Sequence, residues 1–248
     1  MVKGFYNLTS SMLTQNRNLD VVSNNIVNVS TPGFKKDTMT SITFKEQMLA
    51  RTGNTDRSNI TNLNDTSMIV TAQETITDFS QGGFEETGNM LNVALSKDGF
   101  FEIQTQKGNV YTRNGAFITD EEGYVSLPGV GRVIGTSGEP IQITTEDVMI
   151  DASGAISDIN GNYIDSIRVV NFENYNQVNK DINGNITGGN PVEVDGGIIQ
   201  GVVERSNVSM VDEMSLMMRS QRAIQSASQI LKMYDKMMEK STTEIGRV

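Results

Sequence analysis

Residues 4–29, GFYNLTSSMLTQNRNLDVVSNNIVNV, place Phe5, Leu8, Met12, Leu19, Val22, Ile26 and Val29 at alternating intervals of three and four, with Gln15 the one polar interruption. The same rhythm returns near the other end at Leu216, Ser220, Ala223, Ala227, Ile230, Tyr234 and Met237. An interval averaging about 3.5 keeps a stripe on one face of a helix, and that stripe stays wet until another helix covers it. The spacing therefore predicts two terminal helices that pair as a coiled coil. Met214, Met217, Ile224 and Leu231 widen the second stripe beyond one narrow seam. A wide stripe needs more than one neighbour, and within the chain only the first helix is available, so packing between subunits is the expectation.

The first helix should run from about Gly4 to Val29, roughly 39 Å at 1.5 Å per residue. Ser30-Thr31-Pro32-Gly33 then turns the chain: proline stops the helix, pushes Thr31 toward extended geometry, and Gly33 can take positive φ, with Phe34 as an apolar anchor. The second helix should run from about Ser209 to Lys240. Ser206 or Ser209 is its candidate cap, Asp212 and Glu213 sit in its first turns, and Lys236 and Lys240 lie near its end. Asn24, Asn25 and Asn28 can hydrogen-bond between helices and fix register as buried amides do; simple surface exposure is the alternative.

From Lys35 to about Asn89 the pattern is weak, and Ser, Thr, Asn and Asp crowd residues 51–67, where side chains compete for backbone hydrogen bonds. An extended connector is expected there. Short β-type runs follow at Val93-Ala94-Leu95, Phe100–Ile103, Val110–Thr112, Gly123–Val125, Arg132–Ile134, Ile141–Ile143, Ile164–Phe172 and Ile198–Val203. Asn114-Gly115, Asn160-Gly161 and Asn183-Gly184 offer the left-handed residues that tight hairpins require. The fold class is α+β: paired terminal helices (residues 1–34 with 205–248), an extended or β connector (35–91 with 192–204), and a central all-β domain of short antiparallel strands (92–191).

A hydrophobic share of 37% over 248 residues implies thin cores. With no Cys and no His, disulfides, thiol nucleophiles, histidine triads and the usual zinc sites are excluded. No run of about 18 apolar residues exists to span a bilayer as a helix, and the Met-Val-Lys-Gly start lacks the pattern of a cleaved export signal. The net charge of −10 is uneven, since residues 51–204 carry 8 Lys/Arg against 22 Asp/Glu. An acidic middle between nearly neutral ends argues against nucleic acid and fits a solvated domain carried on an assembling core; ordinary solubility explains the charge alone equally well.

Other motifs read as turns. Asp181-Ile-Asn183-Gly-Asn185 and Asp158-Ile-Asn160-Gly-Asn162 begin like calcium loops but lack the sixth-position glycine and the twelfth-position acid. Gly129-Val-Gly131 with Gly135 and Gly138 has neither phosphate-loop nor dinucleotide spacing. Glu85, Glu86, Asp120, Glu121 and Glu122 contain the material of an acid/base pair, yet each group sits beside a turn. No catalytic, metal or cofactor site is expected.

Leu19-Asp-Val-Val-Ser-Asn-Asn-Ile-Val-Asn-Val-Ser-Thr-Pro-Gly-Phe-Lys35 closely resembles the N-terminal signature of flagellar basal-body rod and hook proteins, with Thr31, Pro32, Gly33 and Phe34 as its turn. The resemblance continues through Asp78-Phe-Ser-Gln-Gly-Gly83, Thr87-Gly-Asn89, Asp98-Gly-Phe-Phe101, Tyr111-Thr-Arg-Asn-Gly115, Glu204-Arg-Ser-Asn-Val208, Glu213-Met214 and Gln221-Arg-Ala223. It implies a structural axial protein rather than an enzyme, with no cofactor, of the proximal or distal rod type. It also implies passage, unfolded and uncleaved, through the flagellar type III export apparatus to the basal body beyond the cytoplasmic membrane. The terminal helices would pair as a coiled coil inside a helical tube that transmits torque and forms part of the export channel. The partners implied are copies of the chain, other rod and hook subunits, the export apparatus and ring proteins around the rod, without membrane insertion. The family often has Ala where Ser23 and Val27 stand and Tyr where Ile224 stands. A secreted β-domain adhesin or carbohydrate binder with helical oligomerisation ends, and a hydrolase working through carboxylates, are the competing readings; an adhesin would lack these signatures.

Overall fold

The computed structural model describes residues 2–43, 47–51, 61–66, 70–145 and 147–245; of the polar stretch expected to be extended, residues 52–60 and 67 lie outside the described residues. The chain gathers into two compact units. One holds Met1–Ile26, Asp37–Asp78 and Met210–Val248; the other holds Val27–Lys36 and Phe79–Ser209.

The first unit contains both long helices, α1 (Val2–Val27) and α2 (Met210–Ile245). α1 ends two residues before the expected Val29, in a turn where Thr31 N–H donates to Asn28 O and Phe34 N–H to Thr31 O. Gly33 takes φ 68°, a conformation open chiefly to glycine. Asp212 and Glu213 do occupy the first turn of α2, where the helix dipole favours negative charge. The helix continues past Lys240, however, and its last turn contains no basic residue. Ser206 Oγ accepts from Val208 N–H ahead of the helix, so it shapes the approach rather than capping α2. Strand Asp37–Thr43 pairs antiparallel with Val70–Thr77, with an irregular register between Thr40 and Ser41, and Gln47–Arg51 pairs with Thr61–Thr66. The stretch read as a connector thus contains paired strands. No helix among the described residues is long and apolar enough to cross a membrane.

The second unit is built on strand Phe100–Thr105. One edge pairs with Gly108–Thr112; the other is shared, Phe100 and Phe101 facing Val170 and Val169, and Ile103 and Gln104 facing Val133 and Arg132. Alternation along this strand sends side chains into two cores. Phe101 and Ile103 join Val93, Leu95, Phe117, Val125, Leu127, Val133 and Ile156 in the larger one. Phe100 joins Tyr111, Val170, Phe172 and Ile186 in the smaller, where aromatic rings meet edge to face.

Asn160-Gly161 joins Ala155–Asp158 to Tyr163–Ser166, and Asn183-Gly184 joins Val178–Lys180 to Ile186–Gly188, both antiparallel. In each the glycine, not the asparagine, is left-handed. Asn114-Gly115 is not a hairpin. A Cβ at Gly115 would stand 1.8 Å from Val93 O, so the residue is small because two backbones touch. The run Ile141–Ile143 forms isolated bridges instead of a strand, because Gln142 pairs singly with Tyr124 and Pro140 with Ile134.

Gly115→Ala forces that backbone contact apart. The expected loss is about 1–3 kcal/mol of unfolding free energy, read as a lower urea midpoint for the β unit with an unchanged slope.

Candidate assembly faces and their anchor

Within the helical unit the two helices meet through small and polar groups. Asn25 Nδ2 donates to Glu213 Oε2 at 3.2 Å, and Asn18 Nδ2 to Ser220 Oγ at 2.9 Å. A Cβ on Gly4 would come within 2.9 Å of the Tyr234 hydroxyl. Passing from 4 to 18 to 25 on α1 therefore matches passing from 234 to 220 to 213 on α2, an antiparallel contact repeated in multiples of seven residues. Among the described residues of α2 the buried ones are Glu213, Ser220 and Ala227, again seven apart. Asn25 does more than bridge helices: its amide donates to Asp37 O and accepts from Asp37 N–H, as a strand neighbour would.

The face that meets α1 is one half of the stripe read in the sequence, Ser220, Ala227 and Tyr234, extended by Glu213. Ala227 is buried and Ile224, Leu231, Met217, Leu216 and Tyr234 half-buried, while Met214, Ala223, Ile230 and Met237 are exposed. On α1, Val22 and Asn25 are buried, Leu8, Met12, Leu19, Asn24 and Ile26 half-buried, and Phe5 is exposed. Beyond the helix, Asn28 and Val29 are half-buried, and Asn28 Nδ2 donates to Ile182 O. Ser220 and Ala227 stood in the sequence stripe and Asn25 among the expected interface residues; Gly4, Asn18 and Glu213, at the same multiples of seven, are the members that reading did not assign to the contact.

In the β unit the signature turn is held by a buried carboxylate. Glu204 Oε1 accepts from Lys35 Nζ at 2.6 Å and from Gly82 N–H at 2.9 Å, and Oε2 accepts from Arg113 at 3.2 Å. The three charged side chains are 0–4% exposed. Lys35 Nζ also donates to Ser80 O, and Gly33 N–H donates to the Glu204 carbonyl. Phe34 is buried beneath Lys180, whose Nζ lies 4.0 Å from the ring centroid and donates to Lys35 O. Thr31 and Pro32 are half-buried at the turn, and Gly33 has no space for a side chain, since a Cβ would lie 2.3 Å from the Arg113 backbone. Asn207 completes the join by accepting Lys36 N–H and donating to Ser80 O. Sequence reasoning quoted these residues without giving Glu204 or Arg113 a role, because only folding shows which charges are buried together.

The acidic loop chemistry resolves into structure. Asp120 accepts from the Tyr124 and Glu122 N–H groups and pairs with Arg132, which also reaches Glu122. The Tyr124 N–H first, then Glu122 and Arg132, hold the Asp120 carboxyl below the usual carboxylate range. A carboxylate so held stays ionised at neutral pH and has no proton to give as an acid. In the calcium-like turns, Asp158 and Asp181 accept from the N–H groups of Ile159 and Ile182.

Three family profiles match in chain order: flagella basal body rod protein over residues 5–35, flagellar hook protein FlgE/F/G D1 domain over 94–198, and flagellar basal body rod FlgEFG protein C-terminal over 199–244. Each matched segment supplies one member of the Lys35, Arg113 and Glu204 cluster. Among curated relatives, the flagellar basal-body rod protein FlgG of Bacillus subtilis is 31% identical over 261 residues, 96% of this chain and 97% of its own length. The flagellar hook-basal body complex protein FlhO of the same organism is 27% identical over the full length of both chains. The rod protein FlgF of Caulobacter vibrioides is 29% identical over 96% of this chain and 95% of its own.

Removing one member of a buried charge cluster strands the others. Glu204→Ala is expected to cost about 3–5 kcal/mol, measured by urea unfolding of the β unit, while the isosteric Glu204→Gln should cost less and retain the fold.

Proposed function

The chain belongs to the flagellar basal-body rod protein family and is a structural subunit of that rod; from this premise we propose that α1 and α2 pair as a coiled coil and polymerise into a helical tube that transmits torque and lines part of the export passage. The observation that carries this reading is the apolar surface left on the helices. Phe5, Tyr6 and Leu13 on α1, and Met214, Met218, Ile230, Met233 and Met237 on α2, are exposed large apolar side chains. An isolated soluble chain gains nothing from such a surface, whereas a subunit buries it against neighbours. The interface expected from the sequence then divides by burial. Phe5, Met214, Ala223, Ile230 and Met237 face other subunits; Val22, Asn25 and Ala227 serve the pair within the chain; Leu8, Met12, Leu19, Ile26, Met217, Ile224 and Leu231 border both.

Partners on this reading are further copies and other rod and hook subunits. The finer steps belong to the same proposal: the chain passes unfolded through the type III export apparatus, and the finished rod turns inside ring proteins. The adhesin alternative gives no reason for rod-type matches at both ends of the chain.

Ile230 is exposed, so Ile230→Asp should leave the lone chain folded. Burying an unpaired carboxylate at an apolar contact costs about 3 kcal/mol or more, a rise of about a hundredfold in the concentration needed for assembly. Sedimentation and electron microscopy read the outcome, with circular dichroism as the folding control; rods formed at the ordinary concentration count against the reading.

A further inference from the structure

We propose that α2 carries the two complementary halves of one contact between copies of this chain: Val211, Met214 and Met218 on one flank near its start, and Ile230, Met233 and Met237 on the opposite flank near its end. The proposal rests on the assembly reading above and gives it a geometry, a side-by-side contact with the helices offset by nineteen residues.

The flanks follow from the seam. Glu213, Ser220, Ala227 and Tyr234 face α1 at intervals of seven, so each position on α2 can be placed by its distance from the preceding seam residue. Met214 and Met218 follow Glu213 by one and five places, which puts them to one side of the seam. Ile230 and Met233 follow Ala227 by three and six, and Met237 follows Tyr234 by three, which puts them on the other side. The six side chains are 37–74% exposed. Both triads have the spacing i, i+3, i+7 of a helical contact patch.

The side that carries Met214 and Met218 continues through Gln225, Lys232 and Asp235, and the side that carries Ile230 and Met237 begins with Leu216 and Ala223 interleaved with Asp212, Arg219 and Ser226. Two parallel copies laid level would set Met214 and Met218 beside Asp212 and Arg219 and strip water from those charges without partners, a slide of five residues would still set Met214 against Arg219, and a slide of twelve would set it against Ser226. Sliding one copy by nineteen residues sets Val211 against Ile230, Met214 against Met233 and Met218 against Met237, apolar on apolar throughout. At 1.5 Å per residue the offset is about 28 Å. Because the two flanks differ, each copy offers one half and needs the other, a head-to-tail contact that propagates instead of closing as a dimer. Methionine suits such a surface, since its unbranched side chain fills irregular gaps.

The chain has no Cys, so engineered thiols report this contact without background. Met214→Cys and Met233→Cys chains are mixed under assembly conditions and treated with diamide, which takes up the two electrons and two protons released as the disulfide forms. The expected result is a dimer from the mixture, a ladder of oligomers from the double variant, and monomer from either single variant alone. A disulfide inside one chain is out of reach, because the two sites are about 28 Å apart on one helix and the bond needs Cα atoms within about 7 Å. Val211→Cys with Ile230→Cys should cross-link likewise, whereas Val211→Cys with Met237→Cys, about 10 Å out of step, should not. Dimers from a single variant, cross-linking of the mismatched pair, or rods from the mixture without a cross-link each overturn the offset while leaving the assembly reading intact. An unsubstituted chain that never assembles overturns both.

Discussion

A carboxylate removed from water must be met by donors, and the β unit is arranged around that demand at Glu204. Its partners arrive from separated parts of the chain: Lys35 after the signature turn, Gly82 at the end of the connecting stretch, and Arg113 beyond a central strand. Each group is tolerable inside only because the others are there, since an unpaired buried charge costs several kcal/mol. The geometry of four segments is therefore fixed by one side chain. The turn follows from it: Gly33 donates to the Glu204 carbonyl, its missing side chain lets the Arg113 backbone approach, and Phe34 lies under Lys180. The same cluster ties the residues just after α1 to those just before α2.

The helical unit reverses the usual division of labour between inside and outside. Its intrachain contact uses Asn18, Asn25, Ser220 and Glu213, groups whose hydrogen bonds depend on position and so define one register. Bulky apolar residues are left largely outward. A chain built this way has a specified pairing of its own ends and an unsatisfied exterior, which is the combination a polymer subunit needs. The β unit encloses two cores within the single chain.

Much of this was legible in the sequence. The interval of three and four located both helices because the period is a property of the backbone, independent of what the helices touch. The hairpins at Asn160-Gly161 and Asn183-Gly184 followed from local turn chemistry. What periodicity does not report is which of two adjacent stripes faces the chain's own partner. The apolar count put Ser220, Ile230 and Tyr234 in one stripe, whereas the hydrogen bond of Asn18 and the close approach at Gly4 give the intrachain contact to Ser220 and Tyr234 and leave Ile230 exposed. Gly115 misled for a related reason: an Asn-Gly pair looks the same whether glycine supplies a left-handed turn or lets another backbone touch. The Glu204 cluster was illegible because its members stand 169 and 91 residues apart from their common partner.

That separation has a kinetic side. Glu204 ends the last strand of the β unit, so a chain emerging from its amino end presents Lys35 and Arg113 long before the anion that neutralises them exists. Closing loops of this length is slow compared with helix formation, and the earlier Asp98 carboxylate, 3.7 Å from Arg113 and 82% exposed, is a weaker partner than the buried Glu204. The buried cluster therefore closes only once the final strand of the β unit is present.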